Sequence, residues 1–394
     1  MKMNQRLDPN QIGDQAEKLG EDLHSRIVGQ EEAIKGIVSV FQTHLAGMIS
    51  PGRPIASMLF LGPTGSGKTR LVEAVAESLV GDARAVIKVD CAEFQHSHET
   101  AKLIGSPPGY LGHRETHPLL SQEVLNQHHT EKMQISFVLF DEIEKASDAL
   151  WNLLLGILDK ATLTLGDNRR VDFSRALIFM TSNLGAREMN SILRPAVGFV
   201  AGQSECSQAN GTIDESLNEK VKRAGLEAAR RKFSPEFVNR INKIVVFRGL
   251  GITELRKILQ IELNVVQQRI FNVLTNSPFI FELTDDAKNF LLAEGTDMKY
   301  GARHLKRAVD RYLVHPLSNL IATGQVRGGD LIRVDLDSAL KTITFFKDKE
   351  DMPAYVMARK VVDGNMPTNS TLAATAGGSS ISDNEPSFIG KFRK

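Results

Sequence analysis

Two short segments carry residue types whose spacing fits chemistry on a phosphate. Gly62 to Thr69 reads GPTGSGKT, a G-x-x-x-x-G-K-[ST] pattern that follows an apolar run and opens a helical one. Gly62, Gly65 and Gly67 let the backbone wrap closely around phosphate oxygens, so that successive N–H groups and the positive end of a helix face the anion. Pro63, Thr64 and Ser66 complete the candidate nucleotide-binding loop. Lys68 is then expected to contact the β- and γ-phosphates, and Thr69 to place its hydroxyl on Mg²⁺, a hard ion that takes oxygen ligands. A glycine-rich strand-to-helix turn is the structural alternative, but it does not account for the Lys-Thr pair. The loop alone leaves a kinase, a nucleotide switch and a motor open.

The second segment, FVLFDE at Phe137 to Glu142, supplies carboxylates. Its apolar run reads as a fully buried strand whose C-terminal end presents Asp141 to the Mg²⁺ shell, directly or through water. Glu142 is the candidate general base, able to orient and deprotonate an attacking water for in-line phosphoryl transfer. An Asp-Glu pair at a strand end also serves as a helix cap. The upstream loop is what turns the reading towards ATP hydrolysis.

Such residues need a sheet to align them. Five strands are expected, at Ser57–Leu61, Ala85–Asp90, Phe137–Asp141, Ala176–Ser182 and Lys243–Phe247, with longer helical patterns between them. That alternation predicts a mostly parallel sheet covered by helices on both faces. From Ile252 the period becomes helical, and Thr284-Asp285-Asp286 reads as a capped helix start, so a second, mainly helical domain is expected. Residues 365–387 are rich in Ser, Thr, Gly, Asn and Pro and read as a mobile tail, and no internal repeat is evident.

Bulk properties narrow the classes. The 394 residues carry a formal net charge of +1, with 42% hydrophobic and 24% charged residues, which describes a globular protein with no global pull towards nucleic acid or anionic membrane. Apolar runs such as Phe137–Phe140 fall far short of the roughly 20 residues needed to span a bilayer, so no membrane segment is expected. The N-terminal stretch lacks an apolar signal core, and Cys91 and Cys206 suggest no disulfide framework, so a cytoplasmic location is expected. Cys91, His96 and His98 fit no zinc spacing, His128-His129 reads as a solvated loop, and Trp151 reads as a core residue.

Walker A at Gly62–Thr69, Walker B at Phe137–Glu142 and the polar strand end MTSN at Met180–Asn183 together resemble an AAA+ ATPase. The resemblance narrows with IVGQ at Ile27–Gln30, GSPPGYLG at Gly105–Gly112, DEIEKA at Asp141–Ala146, FSPEFVNRI at Phe233–Ile241 and YGARHLKR at Tyr300–Arg307. These look like the second nucleotide-binding domain of the Clp/ClpB unfoldases, as a stand-alone module, over roughly residues 23 to 337. The resemblance implies an α/β fold, a P-loop AAA+ parallel five-stranded sheet flanked by helices and followed by a smaller mainly helical C-terminal domain. It implies an N-terminal extension over residues 1–22, the large ATPase domain over 23–249, the small domain over 250–338, and an extension with a disordered tail over 339–394.

It also implies roles. Asn183 matches sensor 1, on the strand between those of Walker A and Walker B, and positions the attacking water. Arg240 matches an arginine finger that reaches the nucleotide of an adjacent subunit, Arg303 matches sensor 2, and Ile27 and Val28 match the adenine pocket. Tyr110 matches the aromatic of a pore loop that grips extended polypeptide, and Leu163–Arg170 occupies the position of a second pore loop. Val197-Gly198-Phe199 resembles the apolar loop that docks Clp ATPases onto a ClpP-like peptidase, with local packing as the plain alternative. Asn242 and Lys243 depart from relatives that carry an acidic residue after the finger. The implied whole is a homo-oligomer, a hexameric ring that uses ATP and Mg²⁺ to unfold or remodel protein substrates, with no nucleic-acid partner. The alternatives are the ATPase subunit of a Clp-type protease, an AAA+ nucleic-acid motor or regulator, and a nucleotide-gated scaffold.

Overall fold

The computed structural model describes residues 8, 11–106, 117–193, 215–273, 278–296, 302–337 and 339–353. Its chain forms two compact units, one of residues 1–262 and 291–310 and the other of residues 263–290 and 311–394. The first unit is built on five strands: β1 (Ala56–Leu61), β2 (Val86–Asp90), β3 (Ser136–Asp141), β6 (Ala176–Ser182) and β7 (Lys243–Val246). A short hairpin, β4 (Thr162–Thr164) with β5 (Arg170–Asp172), stands apart from them. The sheet order is β2-β3-β6-β1-β7 and every pairing is parallel.

The central strands β1, β3 and β6 are buried along nearly their whole length because both faces are covered, whereas the edge strands β2 and β7 carry Lys88 and Lys243. The period of two is visible in where alternate side chains go. Leu59, Leu61, Val138, Phe140, Ile178 and Met180 join a core with the helices Asp148–Lys160 and Glu215–Lys232. Met58, Phe60, Phe137, Leu139, Leu177 and Phe179 join the opposite core with helices α1 (Asp14–Arg26), α2 (Glu31–Leu45) and α3 (Lys68–Val80). Phe60 packs against both Phe179 and Phe247, with ring centroids 5.7 and 5.0 Å apart. Full burial of one such ring contributes about 1.5–3 kcal/mol. Trp151 sits where expected, half-buried, with its indole N–H on the Ile143 carbonyl at 3.1 Å and its ring against Phe233 and Phe237.

The register delivers the chemistry. Leu61 is paired with Ser182, and Phe140 with Met180, so Gly62, Asn183 and Asp141 leave three adjacent strands on the same C-terminal edge. That edge is where parallel sheets bind ligands.

The second unit contains the expected helices and, in addition, a three-stranded sheet ordered β10-β9-β8, from β8 (Ile280–Leu283), β9 (Leu331–Asp337) and β10 (Thr342–Lys349). Buried Gln267 ties it to its helix, donating from Nε2 to the Phe279 carbonyl at 2.8 Å and accepting the Phe281 N–H at 3.2 Å.

Candidate functional site

The phosphate loop is fixed from several sides. Gly62 lies at φ 150°, and a Cβ there would stand 2.6 Å from the Phe247 carbonyl oxygen, so only glycine lets the loop leave β1 this close to the end of β7. The Gly62 N–H donates to the Ser182 carbonyl at 3.2 Å, and the Ser66 hydroxyl to the Pro63 carbonyl at 2.9 Å. Gln30, of the IVGQ segment, is only 4% exposed and spends its whole amide here. Its Nε2 donates to the carbonyls of Ser66 and Arg248, both at 3.1 Å, and its Oε1 accepts the Arg248 N–H at 3.2 Å. Beside it Ile27 is buried and Val28 partly exposed.

Gly67 closes the loop as the cap residue before α3, in the left-handed region at φ 97° and ψ 10°. A Cβ on Gly67 would meet nothing within 4 Å, so the backbone conformation, not a lack of space, asks for glycine there. Gly67 thus also makes the turn into the helix, and its carbonyl accepts the Leu71 N–H at 2.9 Å. Helix α3 then starts at Lys68, aiming its N-terminal N–H groups at the loop.

Lys68 is 7% exposed, and its ammonium donates to the carbonyls of Gly62 (2.7 Å) and Pro63 (3.0 Å) and to Asn183 Oδ1 (2.9 Å). Burial lowers its pKa to about 8, opposed by the negative charges of Glu144, Asp141 and Glu142 and reinforced by the positive charge of Arg303. The three donors are thus held by the loop and by Asn183 in positions that an anionic phosphate can take over.

Asn183 is the hub. Its Oδ1 accepts from Lys68 and, at 3.4 Å, from the Thr64 hydroxyl, while its Nδ2 donates to Glu142 Oε1 at 3.0 Å. One amide therefore connects the phosphate loop to the candidate base, as the position of β6 between β1 and β3 requires. Glu142 itself adopts a left-handed conformation, φ 55° and ψ 47°, which costs a non-glycine residue about 1–2 kcal/mol. Its N–H is held by the Thr181 hydroxyl at 3.0 Å, Thr181 in turn donates to Asp141 Oδ1, and Lys145 ion-pairs with Glu142 Oε2. The left-handed turn takes Glu142 out of the strand, where its carboxylate meets Asn183 Nδ2 and Lys145.

Arg303 is the second residue of the helix Ala302–Val309, whose first N–H, that of Ala302, donates to the Gly65 carbonyl at 3.2 Å. The expected sensor cation thus lies in the electrostatic range of Lys68. Arg240 is elsewhere. Its carbonyl accepts the Ser57 hydroxyl at 3.2 Å, near the start of β1, whereas the loop follows the end of that strand, roughly 16 Å away at about 3.3 Å per residue. Its guanidinium pairs with Asp159 at 2.7 Å and Glu236 at 2.8 Å. Tyr110 and Val197–Phe199 lie outside the described residues. Leu163–Arg170 is a hairpin turn rather than an open loop, closed by Asn168 N–H on the Leu165 carbonyl at 3.0 Å.

The motif reading missed Thr181, Glu144 and the structural part played by Gln30. A signal existed for Thr181, a fully buried hydroxyl in the apolar run ALIFMTS. For a metal, Thr69 at the helix start and Asp141 at the strand end offer only oxygen donors, the donor set that suits Mg²⁺. Among the described residues no cluster of three or more His, Cys, Asp or Glu side chains forms a metal cage. No helix among them is long and apolar enough to cross a membrane.

Comparison with known proteins agrees with this geometry. A family model described as "AAA domain (Cdc48 subfamily)" matches residues 53–244, and one described as the "C-terminal, D2-small domain, of ClpB protein" matches residues 250–334. The chaperone protein ClpB of Aquifex aeolicus is 39% identical over 321 residues, 81% of this chain and 29% of the relative. The negative regulator of genetic competence ClpC/MecB of Bacillus subtilis is 38% identical over 319 residues, 80% of this chain and 36% of the relative. A cryo-EM structure of Hsp104 with ATPγS and FITC casein superposes with a TM-score of 0.66 at 31% identity, covering 84% of this chain and 52% of that one. The chain spans about a third of the length of the curated relatives it matches. With the strand order, the phosphate loop and both matched segments in agreement, this chain belongs to the AAA+ ATPases of the Clp/ClpB type.

Proposed function

We propose that the chain hydrolyses ATP in an oligomeric ring, hexameric as in the implied family pattern, and uses the energy to unfold or remodel polypeptides threaded past Tyr110. The observation that carries the hydrolytic part is the single amide of Asn183 spanning Lys68 and Glu142. Arriving phosphate oxygens replace the carbonyls on Lys68, and the hydrogen-bonded Asn183 transmits that change to the carboxylate that must face the attacking water. Thr69 and Asp141 would hold Mg²⁺, which supplies charge neutralisation at the phosphates when bound. Arg303 adds a cation on the same side, and Arg240 is left for the site of a neighbouring copy. The polypeptide part draws on the relatives, one named a chaperone and one solved with casein.

The test separates the two halves. Purified chain should release phosphate from ATP and unfold a stable reporter protein. Glu142→Gln should lower hydrolysis by about a hundredfold, in line with loss of a general base, while still binding ATP and stabilising the oligomer. Tyr110→Ala should abolish unfolding and leave much of the ATPase activity. Unfolding that survives Tyr110→Ala, or hydrolysis stimulated by DNA alone, would overturn the threading reading.

A second reading is favoured by relatives such as the ATP-dependent Clp protease ATP-binding subunit ClpC of Staphylococcus aureus. On that reading Val197-Gly198-Phe199 docks a ClpP-like peptidase in the cytoplasm. Co-purification with such a peptidase, lost when the three residues are replaced, would favour it.

A further inference from the structure

Asp141, Glu142 and Glu144 lie on one turn, but only the first two have a place in the hydrolytic scheme. Asp141 Oδ1 receives the Thr181 hydroxyl, and Glu142 Oε1 receives the Asn183 side-chain amide. Glu144 instead reaches the backbone: its Oε1 accepts the N–H of Asn183 at 3.0 Å. Its other oxygen, Oε2, is buried with no hydrogen-bond partner among the described residues. A carboxylate oxygen held in that condition is costly, and such a group persists where its charge or its second oxygen has a task. That task falls to Oε1, the acceptor of the Asn183 N–H.

The rest of the surroundings explain why the backbone contact matters. Glu144 is carried by the one-turn helix Ile143–Lys145, anchored by a fully buried Ile143, so its position is set by the core. Asn183, Leu184, Gly185 and Ala186 border an open surface depression that also touches Ala228 and Arg231. Glu144 Oε1, carried next to that core anchor, accepts the Asn183 N–H at the strand end, and the Asn183 carbonyl accepts the Ala186 N–H at 3.2 Å.

We propose that Glu144 is a positioning residue of the hydrolytic site, holding the Asn183 backbone so that its side chain spans Lys68 and Glu142. The role rests on the hydrolytic reading given above. It predicts a separation of chemistry from binding, since the loop that holds the phosphates does not depend on Glu144 for its own hydrogen bonds.

The experiment is single-turnover ATP hydrolysis by the full chain, with ATP affinity measured on the same variants. Glu144→Ala should slow the single-turnover rate about tenfold or more, while ATP affinity changes less than about threefold. Glu144→Gln keeps an oxygen that can accept the Asn183 N–H, and should retain the wild-type rate within about threefold. The proposal is overturned by Glu144→Ala hydrolysing at the wild-type rate, by Glu144→Gln losing as much as Glu144→Ala, or by rate and affinity falling together. Absence of hydrolysis by the wild-type chain overturns the functional reading, and this role with it. Hydrolysis by the wild-type chain that is insensitive to Glu144→Ala overturns this role alone.

Discussion

At Lys68, burial and function pull in opposite directions. The ammonium must be charged to hold phosphate, yet the site that dries the reaction also lowers its pKa to about 8. The protonated form is the binding form, so it dominates below that value and is lost above it. ATP affinity should therefore be nearly flat below pH 7 and weaken by about tenfold for each unit above 8, until the bound phosphate's own charge compensates. Equilibrium titrations of the Glu142→Gln variant between pH 6.5 and 9 read this without hydrolysis. A flat profile would mean that the ammonium stays fully charged in the empty site. The loop lysine could be read from GPTGSGKT as a candidate phosphate ligand, because the motif encodes a local backbone shape, whereas the left-handed turn at Gly67 comes from the structure. The lowered pKa of Lys68 could not be read, because the burial that causes it arises only in the fold, as do the opposing charges of Glu144 and Asp141.

Among the elements, the hairpin β4–β5 and the loop after Ile104 form a joint. The Gly166 N–H donates to the Ile104 carbonyl at 2.8 Å, and a Cβ on Gly166 would meet the Gly105 carbonyl oxygen at 2.5 Å and its carbon at 3.0 Å. The tip is further braced by Arg169, which pairs with Asp167 at 2.7 Å and Glu123 at 3.1 Å. The stem of the Gly105–Gly112 segment thus rests on the hairpin turn, at the two places where the family pattern has pore loops. Gly166→Ala should displace that stem, reducing unfolding of a folded reporter several-fold while basal ATP hydrolysis stays within about twofold, because the joint lies outside the phosphate loop's hydrogen bonds. Equal loss of both activities would show that the joint serves the fold as a whole. The five long strands were readable because each is rich in apolar residues and bounded by polar or glycine residues, even though Lys88 interrupts Val86–Asp90. Three-residue strands such as Thr162–Thr164 offer no such run, and LTLGDNRR reads as loop although Asp167 and Asn168 close a turn. β9 alternates as LIRVDLD, but the helical period from Ile252 onward outweighs it in a reading by segment.

For the whole molecule, Arg240 is the residue that a single chain leaves unexplained. It is tied to the start of β1 through its carbonyl, and Asn242 reinforces that tie by accepting the Ser57 N–H at 2.7 Å and the Ser57 hydroxyl at 2.8 Å. A guanidinium so placed cannot reach the loop at the other end of the same strand. Its pairs with Asp159 and Glu236 involve partly exposed partners, and contacts of that kind are worth about 0–1 kcal/mol each, little enough for a stronger anion to displace. A γ-phosphate on an adjacent copy is such an anion. Arg240→Ala should therefore lower hydrolysis by about 10³-fold or more, as loss of such fingers does, while ATP binding by each chain is kept. Mixing is the decisive measurement. A Lys68→Ala chain has a dead loop but an intact Arg240, and an Arg240→Ala chain has the reverse. Rings assembled from both contain interfaces where an intact loop meets an intact arginine, so the mixture should hydrolyse ATP well above the sum of its parts. If mixing restores nothing under conditions where the two chains co-assemble, the arginine serves its own chain through the ion pairs with Asp159 and Glu236. The ring would then need another source for the charge that completes its sites.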